Sequence, residues 1–120
     1  MKAYTDLEQS RKLAEILPLE SADMSWVSNG LGKPFARTIP IKGDPEELCS
    51  CWSLAALLKV IPKKIKDFNV LRIDISEKDF SIWYDEIGSG VNTELPDMTM
   101  ECPVDACYEM ILKLHELNLL

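Results

Sequence analysis

Two runs in the C-terminal half of the chain, residues 70–76 and residues 80–85, alternate apolar and polar side chains. The apolar positions of the two runs are Leu71, Ile73, Ile75, Phe80, Ile82 and Tyr84. A period of two is typical of a β-strand with one buried face, and residues 77–79 form a short polar turn between the runs. The pattern therefore predicts an antiparallel hairpin whose apolar face is covered by helices.

The N-terminal segment carries the signals of a helix followed by strands. Thr5 and Glu8 match a capping box, which predicts a helix that begins at Thr5, and Pro18 forbids its continuation. Residues 24–28 have the aromatic and β-branched composition of a short strand, and residues 35–41 alternate apolar side chains. These two segments predict a second, hairpin-like pair of strands.

A further helix start is indicated near the middle of the chain. Asp44 is suited to the N-cap, Pro45 to the first helical position and Glu47 to the third. The sequence therefore predicts a second helix that starts at Asp44, with Ser50 and Ser53 as alternative caps for a later start.

The C-terminal segment predicts a third helix, because Pro103 and Asp105 are suited to its first turn. Its expected inward positions are Val104, Cys107, Tyr108, Ile111, Leu114 and His115. We expect an α+β fold in which about three helices pack on a small antiparallel β-sheet. A chain of 120 residues has the length of one domain, so we predict a single domain over residues 1–120.

Charge is distributed unevenly along the chain, which has a net charge of −7. Residues 1–66 carry ten basic and eight acidic side chains, whereas residues 67–120 carry three basic and twelve acidic ones. A phosphate backbone attracts lysine and arginine, so we expect no binding to nucleic acid. An acidic C-terminal half instead suits solubility or a basic protein partner.

The apolar runs are too short for a membrane span. The longest is residues 54–58, whereas a span needs about 20 apolar residues. Residues 1–8 turn acidic and polar where a secretory signal carries its apolar stretch. We therefore expect no membrane association, a cytoplasmic location and free thiols in a reducing compartment.

The four cysteines, Cys49, Cys51, Cys102 and Cys107, raise a chemical alternative. Their spacing is poor evidence for a zinc site, and Cys51 and Cys107 fall at apolar positions where cysteine acts as a small hydrophobe. The single histidine, His115, lies about 12 Å from Cys107 along a helix axis, beyond reach as its base. We predict no catalytic residue, metal or cofactor, and keep a thiol-dependent enzyme or zinc-binding protein as the alternative.

Trp83 is the best candidate for a residue that faces a partner. It falls on the polar face of its predicted strand, out of phase with the apolar positions, and should be exposed unless residues 88–100 cover it. Asp85 and Glu86 add negative charge directly after it. The three residues predict an interaction site for a protein partner.

Residues 51–58 read Cys-Trp-Ser-Leu-Ala-Ala-Leu-Leu and are followed by Ile61-Pro62, while residues 103–107 read Pro-Val-Asp-Ala-Cys. Together with residues 5–10 and 17–24, they resemble a group of small bacterial proteins of unknown function from gut-bacterial genomes and phage-like elements. The resemblance implies a bacterial cytosolic or mobile-element setting and brings no functional residues with it.

These observations favour a small cytosolic accessory protein, without enzymatic activity, that binds another macromolecule through its acidic C-terminal half. A third hypothesis is an acidic DNA mimic that inhibits a nucleic-acid enzyme, which would require carboxylates spaced like phosphates on one surface. The sequence indicates neither the partner nor the oligomeric state.

Overall fold

The computed structural model describes residues 2–28, 32–38 and 47–120. Over these ranges the chain has three α-helices and two antiparallel sheets, which confirms the predicted α+β fold and divides the expected single sheet in two. The chain separates into two compact units, residues 2–59 and residues 60–120. A single domain over residues 1–120 stays a prediction.

The first unit combines a three-stranded sheet with two helices, of which the second ends at the boundary. Its elements are α1 (Leu7–Ala14), β1 (Met24–Val27), β2 (Phe35–Arg37), β3 (Glu47–Cys51) and α2 (Leu54–Val60). The strand order is β2-β1-β3, and both pairings are antiparallel, so the predicted pairing of β1 with β2 is confirmed. Helix α1 packs against β3. Its buried apolar residues are Leu13, Leu17, Ala22, Met24, Val27, Cys51, Trp52, Ala56 and Leu57.

Helix α1 begins one residue later than predicted. Asp6, not Thr5, is the N-cap: its carboxylate accepts the Gln9 backbone N–H at 2.7 Å, and the Gln9 amide oxygen accepts the Asp6 N–H at 3.1 Å. Thr5 is buried, and its hydroxyl accepts the backbone N–H of Trp52 at 3.2 Å. The tertiary contact thus takes the hydroxyl that the capping box would have used.

The prediction of a helix starting at Asp44 is wrong for the residues that can be compared. Asp44 and Pro45 lie outside the described residues, but Glu47–Cys51 is a strand paired with β1. Helix α2 starts at Leu54, where the Ser53 hydroxyl accepts the Ala56 N–H at 3.2 Å, as in the alternative cap. Cross-strand pairing outweighs local helix signals here, as tertiary context commonly does.

The second unit is a five-stranded antiparallel sheet covered by one helix. Its elements are β4 (Lys64–Ile65), β5 (Asn69–Ile75), β6 (Phe80–Glu86), β7 (Gly90–Val91), β8 (Met98–Met100) and α3 (Pro103–Glu116). The strand order is β4-β5-β6-β7, and β8 pairs with the other half of β6. The predicted hairpin is confirmed as β5 and β6, with Ile73 directly opposite Ile82.

The apolar face of this hairpin is covered on one strand only. Phe80, Ile82 and Tyr84 on β6 are buried, but Ile73 and Ile75 on β5 retain 41% and 74% of their accessible surface. Helix α3 packs on β6 and β8, which leaves β5 at the margin of the covered face. The expectation that Ile73 and Ile75 are buried is therefore wrong.

Helix α3 carries the apolar stripe that covers the sheet. It begins at Pro103, as predicted, and its buried residues are Val104, Ala106, Cys107, Met110, Ile111 and Leu114. Tyr108 is half-buried, but His115 is exposed and does not belong to the inward stripe. Among the described residues, no helix is both long enough and apolar enough to cross a membrane.

Candidate interaction surface

The three residues predicted to face a partner lie on β6 but do not share one face. Trp83 and Asp85 occupy the face opposite the buried side chains of β6, and both are half-buried. Glu86 is exposed and falls on the other face, because successive side chains of a strand alternate. The structure therefore brings Trp83 and Asp85 together and separates Glu86 from them.

Trp83 lies between two different neighbours on this face. On one side it is directly opposite Arg72 of β5, whose Nε lies 3.6 Å from Oδ2 of Asp85. On the other side, Ser81 and Thr99 form a hydroxyl–hydroxyl hydrogen bond of 2.9 Å between β6 and β8. Asp85 is thus already paired with a cation inside the unit.

A groove of about 290 Å³ opens beside Trp83. Its lining residues are Asp74, Ser81, Ile82, Trp83, Asp97, Met98 and Thr99. Residues 97–99 supply part of this lining. They belong to the segment 88–100, which was expected either to cover Trp83 or to leave it exposed. The segment instead flanks a depression next to the indole.

The groove has the chemistry of a site for a cationic side chain. Its only titratable lining residues are Asp74 and Asp97, both carboxylates, and in the described part of the chain neither is ion-paired. A tryptophan ring attracts a guanidinium or ammonium group through its quadrupole, and carboxylates add charge-assisted hydrogen bonds. Sequence reasoning identified Trp83 but missed Asp74 and Asp97, because the pairing of β5, β6 and β8 places them there.

Three of the four thiols have environments that oppose ionisation. Burial raises the pKa of Cys51 and raises that of Cys107 to about 12. Burial also raises the pKa of Cys49, although nearby Arg11 opposes the shift. Because the thiolate is the nucleophile and metal ligand, these raised pKa values do not favour either role for these three side chains.

Cys102 is half-buried at the N-cap of α3, and its side chain makes no capping hydrogen bond. Within residues 2–28, 32–38 and 47–120, no cluster of three or more His, Cys, Asp and Glu side chains has an arrangement that could hold a metal ion.

A polar network inside the first unit is internally satisfied. The hydroxyls of Thr5 and Ser10 hydrogen-bond at 2.7 Å, and the Thr5 carbonyl accepts the Trp26 Nε1–H at 3.1 Å. The Trp52 Nε1–H donates to the Ser21 hydroxyl at 2.9 Å, and the Cys51 thiol donates to the Thr5 carbonyl at 3.5 Å. These groups serve the fold rather than a ligand, since their hydrogen bonds are made within the protein.

Comparison of the chain with protein-family models, curated proteins and solved structures finds no match.

Proposed function

We propose that the protein is a small accessory protein without enzymatic activity that binds a basic protein partner through residues 60–120. The observation that supports this most strongly is the groove beside Trp83, whose two titratable lining residues are both carboxylates without an ion-pair partner among the described residues. The unit around it carries six basic and twelve acidic side chains, a net charge of −6 that favours approach of a cationic surface.

In this proposal the partner inserts a lysine or arginine side chain into the groove. The cation lies against the indole of Trp83 and between Asp74 and Asp97, while Ser81 and Thr99 offer hydroxyl oxygens as acceptors. Asp85 acts indirectly by holding Arg72, and Glu86 stays outside the contact. We further propose a cytoplasmic, bacterial or phage-like setting, in line with the resemblance described above.

The test uses two short peptides that differ only in the charge of one side chain. The first is an acetylated and amidated glycine–serine peptide with a central arginine, and the control replaces that arginine by citrulline, its neutral isostere. Binding is followed from the indole N–H resonances of the isotopically labelled protein. We expect the arginine peptide to shift the Trp83 resonance and to leave the resonance of the buried Trp52 unchanged.

The control peptide should bind at least about tenfold more weakly, since a hydrogen bond between charged groups contributes about 1.5–3 kcal/mol. Asp74→Asn and Asp97→Asn should each weaken binding of the arginine peptide, whereas Glu86→Gln should leave its binding unchanged. Equal binding of the two peptides, or no shift of the Trp83 resonance at millimolar peptide, would contradict the proposed function.

A further inference from the structure

The outer edge of β5 is only partly paired. Strand β4 pairs with Asn69 and Val70, and the Lys63 carbonyl accepts the Leu71 N–H at 2.9 Å. Beyond Leu71, no described residue pairs with Ile73 or Ile75 on that side. The strand therefore ends in an open edge beside the turn at residues 76–79.

The hydrogen-bonding groups of this edge point outward. The Ser76 N–H donates to the Asp79 carbonyl at 2.9 Å, which places the backbone groups of even-numbered β5 residues toward β6. The hydrogen bond from the Leu71 N–H to the Lys63 carbonyl places the backbone groups of odd-numbered β5 residues on the opposite side of the strand. Ile73 and Ile75 thus present both an N–H and a carbonyl at the open edge.

Exposed apolar side chains lie along the open edge, and acidic residues line a groove beside it. Ile73 and Ile75 are exposed, and Ile75 borders a groove of about 580 Å³ that extends to the start of α3. The charged residues that line this groove are Glu77, Lys78, Asp79 and Glu101. Three acids and one base give this groove a net negative charge.

A second copy of the chain is poorly suited to this edge. An antiparallel pair centred on Ile73 would oppose Arg72 to Asp74 of the other copy, but it needs the outward groups of Leu71, which Lys63 already occupies. A pair centred on Asp74 would place two carboxylates directly opposite each other, which is destabilising. Neither of these two registers favours pairing with a second copy, and a strand of different sequence meets neither obstacle.

We infer that the open edge of β5 binds an extended segment of the partner protein as an added antiparallel strand. This inference rests on the proposed function, because it takes the partner to be basic. Apolar residues of the segment lie beside Ile73 and Ile75 and exchange backbone hydrogen bonds with them, and the residue between them is a lysine or arginine opposite Asp74. Antiparallel pairing matches every other pairing of this sheet.

The test uses a seven-residue peptide of alternating valine and lysine, acetylated and amidated, with the full-length protein. We expect the Ile73 and Ile75 amide hydrogens to exchange more slowly with solvent when the peptide binds. A matched peptide with glutamate in place of every lysine should show no measurable binding, because it would place a carboxylate opposite Asp74.

Backbone N-methylation of the peptide separates strand addition from charge attraction alone. Methyl groups on the valine nitrogens remove the donors that face β5, and affinity should fall at least about tenfold. Methyl groups on the lysine nitrogens face away and should change affinity by no more than about twofold, with the same net charge. Ile75→Lys, at a side chain that is already 74% exposed, should abolish binding without unfolding the protein.

Equal effects of the two methylated peptides, or no binding of the parent peptide, would overturn the inference. A protein that is dimeric without peptide, with slow exchange at Ile73 and Ile75, would overturn it in favour of a second copy. Trp83→Ala distinguishes the two proposals, because it should abolish capture of the arginine peptide and leave the valine–lysine peptide bound.

Discussion

The two units consist of similar elements but differ in whether their polar and apolar groups are buried and paired or exposed. In residues 2–59, buried Thr5 and Ser10 are hydrogen-bonded to each other, and the side-chain N–H groups of Trp26 and Trp52 are both donated within the unit. In residues 60–120, Ile73 and Ile75 are exposed on a sheet edge. The first arrangement has the character of a scaffold, whereas the second leaves hydrogen-bonding and apolar groups available to a partner.

The largest expected effect is in the first unit. Trp52 is fully buried and donates to Ser21, so Trp52→Ala should lower the free energy of unfolding by about 3–5 kcal/mol. Urea unfolding followed by far-ultraviolet circular dichroism measures this change. Leu19→Ala, at an exposed residue of the same unit, is the control and should change stability by about 0.5 kcal/mol or less. Similar losses of stability for Trp52→Ala and Leu19→Ala would contradict the description of the first unit as a buried scaffold.

Two isoleucines on the same face of the hairpin test the second unit. Ile82 is fully buried, so Ile82→Ala should cost about 2–5 kcal/mol of stability. Ile75→Ala makes the same change on the neighbouring strand and should cost about 0.5 kcal/mol or less, because 74% of its surface is already exposed. Chemical denaturation of both variants gives the difference. A large loss for Ile75→Ala would mean that the edge is covered.

The satisfied network of the first unit predicts a smaller but specific effect. Thr5→Val keeps the shape of the side chain and removes the acceptor of the Trp52 N–H, so stability should fall by about 1–3 kcal/mol. Thr5→Ser retains the hydroxyl and should recover most of that loss. Both variants are measured by thermal and urea unfolding. Wild-type stability of Thr5→Val together with a clear loss for Thr5→Ser would show that the methyl group and not the hydrogen bond is important.

The effect that is smallest at neutral pH, where it is absent, is a dependence on alkaline pH. The pKa of Cys107 is raised from 9.0 to about 12 by burial, so above pH 9 the unfolded chain ionises this thiol and the folded chain does not. Stability is therefore unaffected below about pH 9 and falls as pH rises toward 12, by up to about 1.4 kcal/mol per pH unit. Cys107→Ala should flatten this slope in urea titrations. An unchanged slope would contradict a dry environment for the thiol.

The helices and strands were largely predictable from the sequence, but which strand faces are buried by a helix was not. Alternation identified β5 and β6 and placed Trp83 on the face opposite the apolar side chains. It could not show that Ile73 and Ile75 are exposed, because that depends on where α3 lies over the sheet. Glu47 was misassigned for a related reason, since pairing with β1 is a long-range contact that local helix signals do not contain.

The candidate site was predictable to the same extent. The phase of the strand singled out Trp83, but its acidic neighbours Asp74 and Asp97 come from β5 and from the segment just before β8. Asp85 was predicted to belong to the partner-facing site, and it is ion-paired with Arg72 within the unit. Cross-strand register decides each of these neighbours, and alternation within one strand gives the face of a residue but not its partner on the next strand.

Amide hydrogen exchange of the peptide-free protein tests the open edge of β5 most directly. The amides of Arg72 and Asp74 face β6 and should exchange slowly, whereas those of Ile73 and Ile75 should exchange quickly, in strict alternation. Uniform protection of all four amides would show that another strand occupies the edge and would contradict the account.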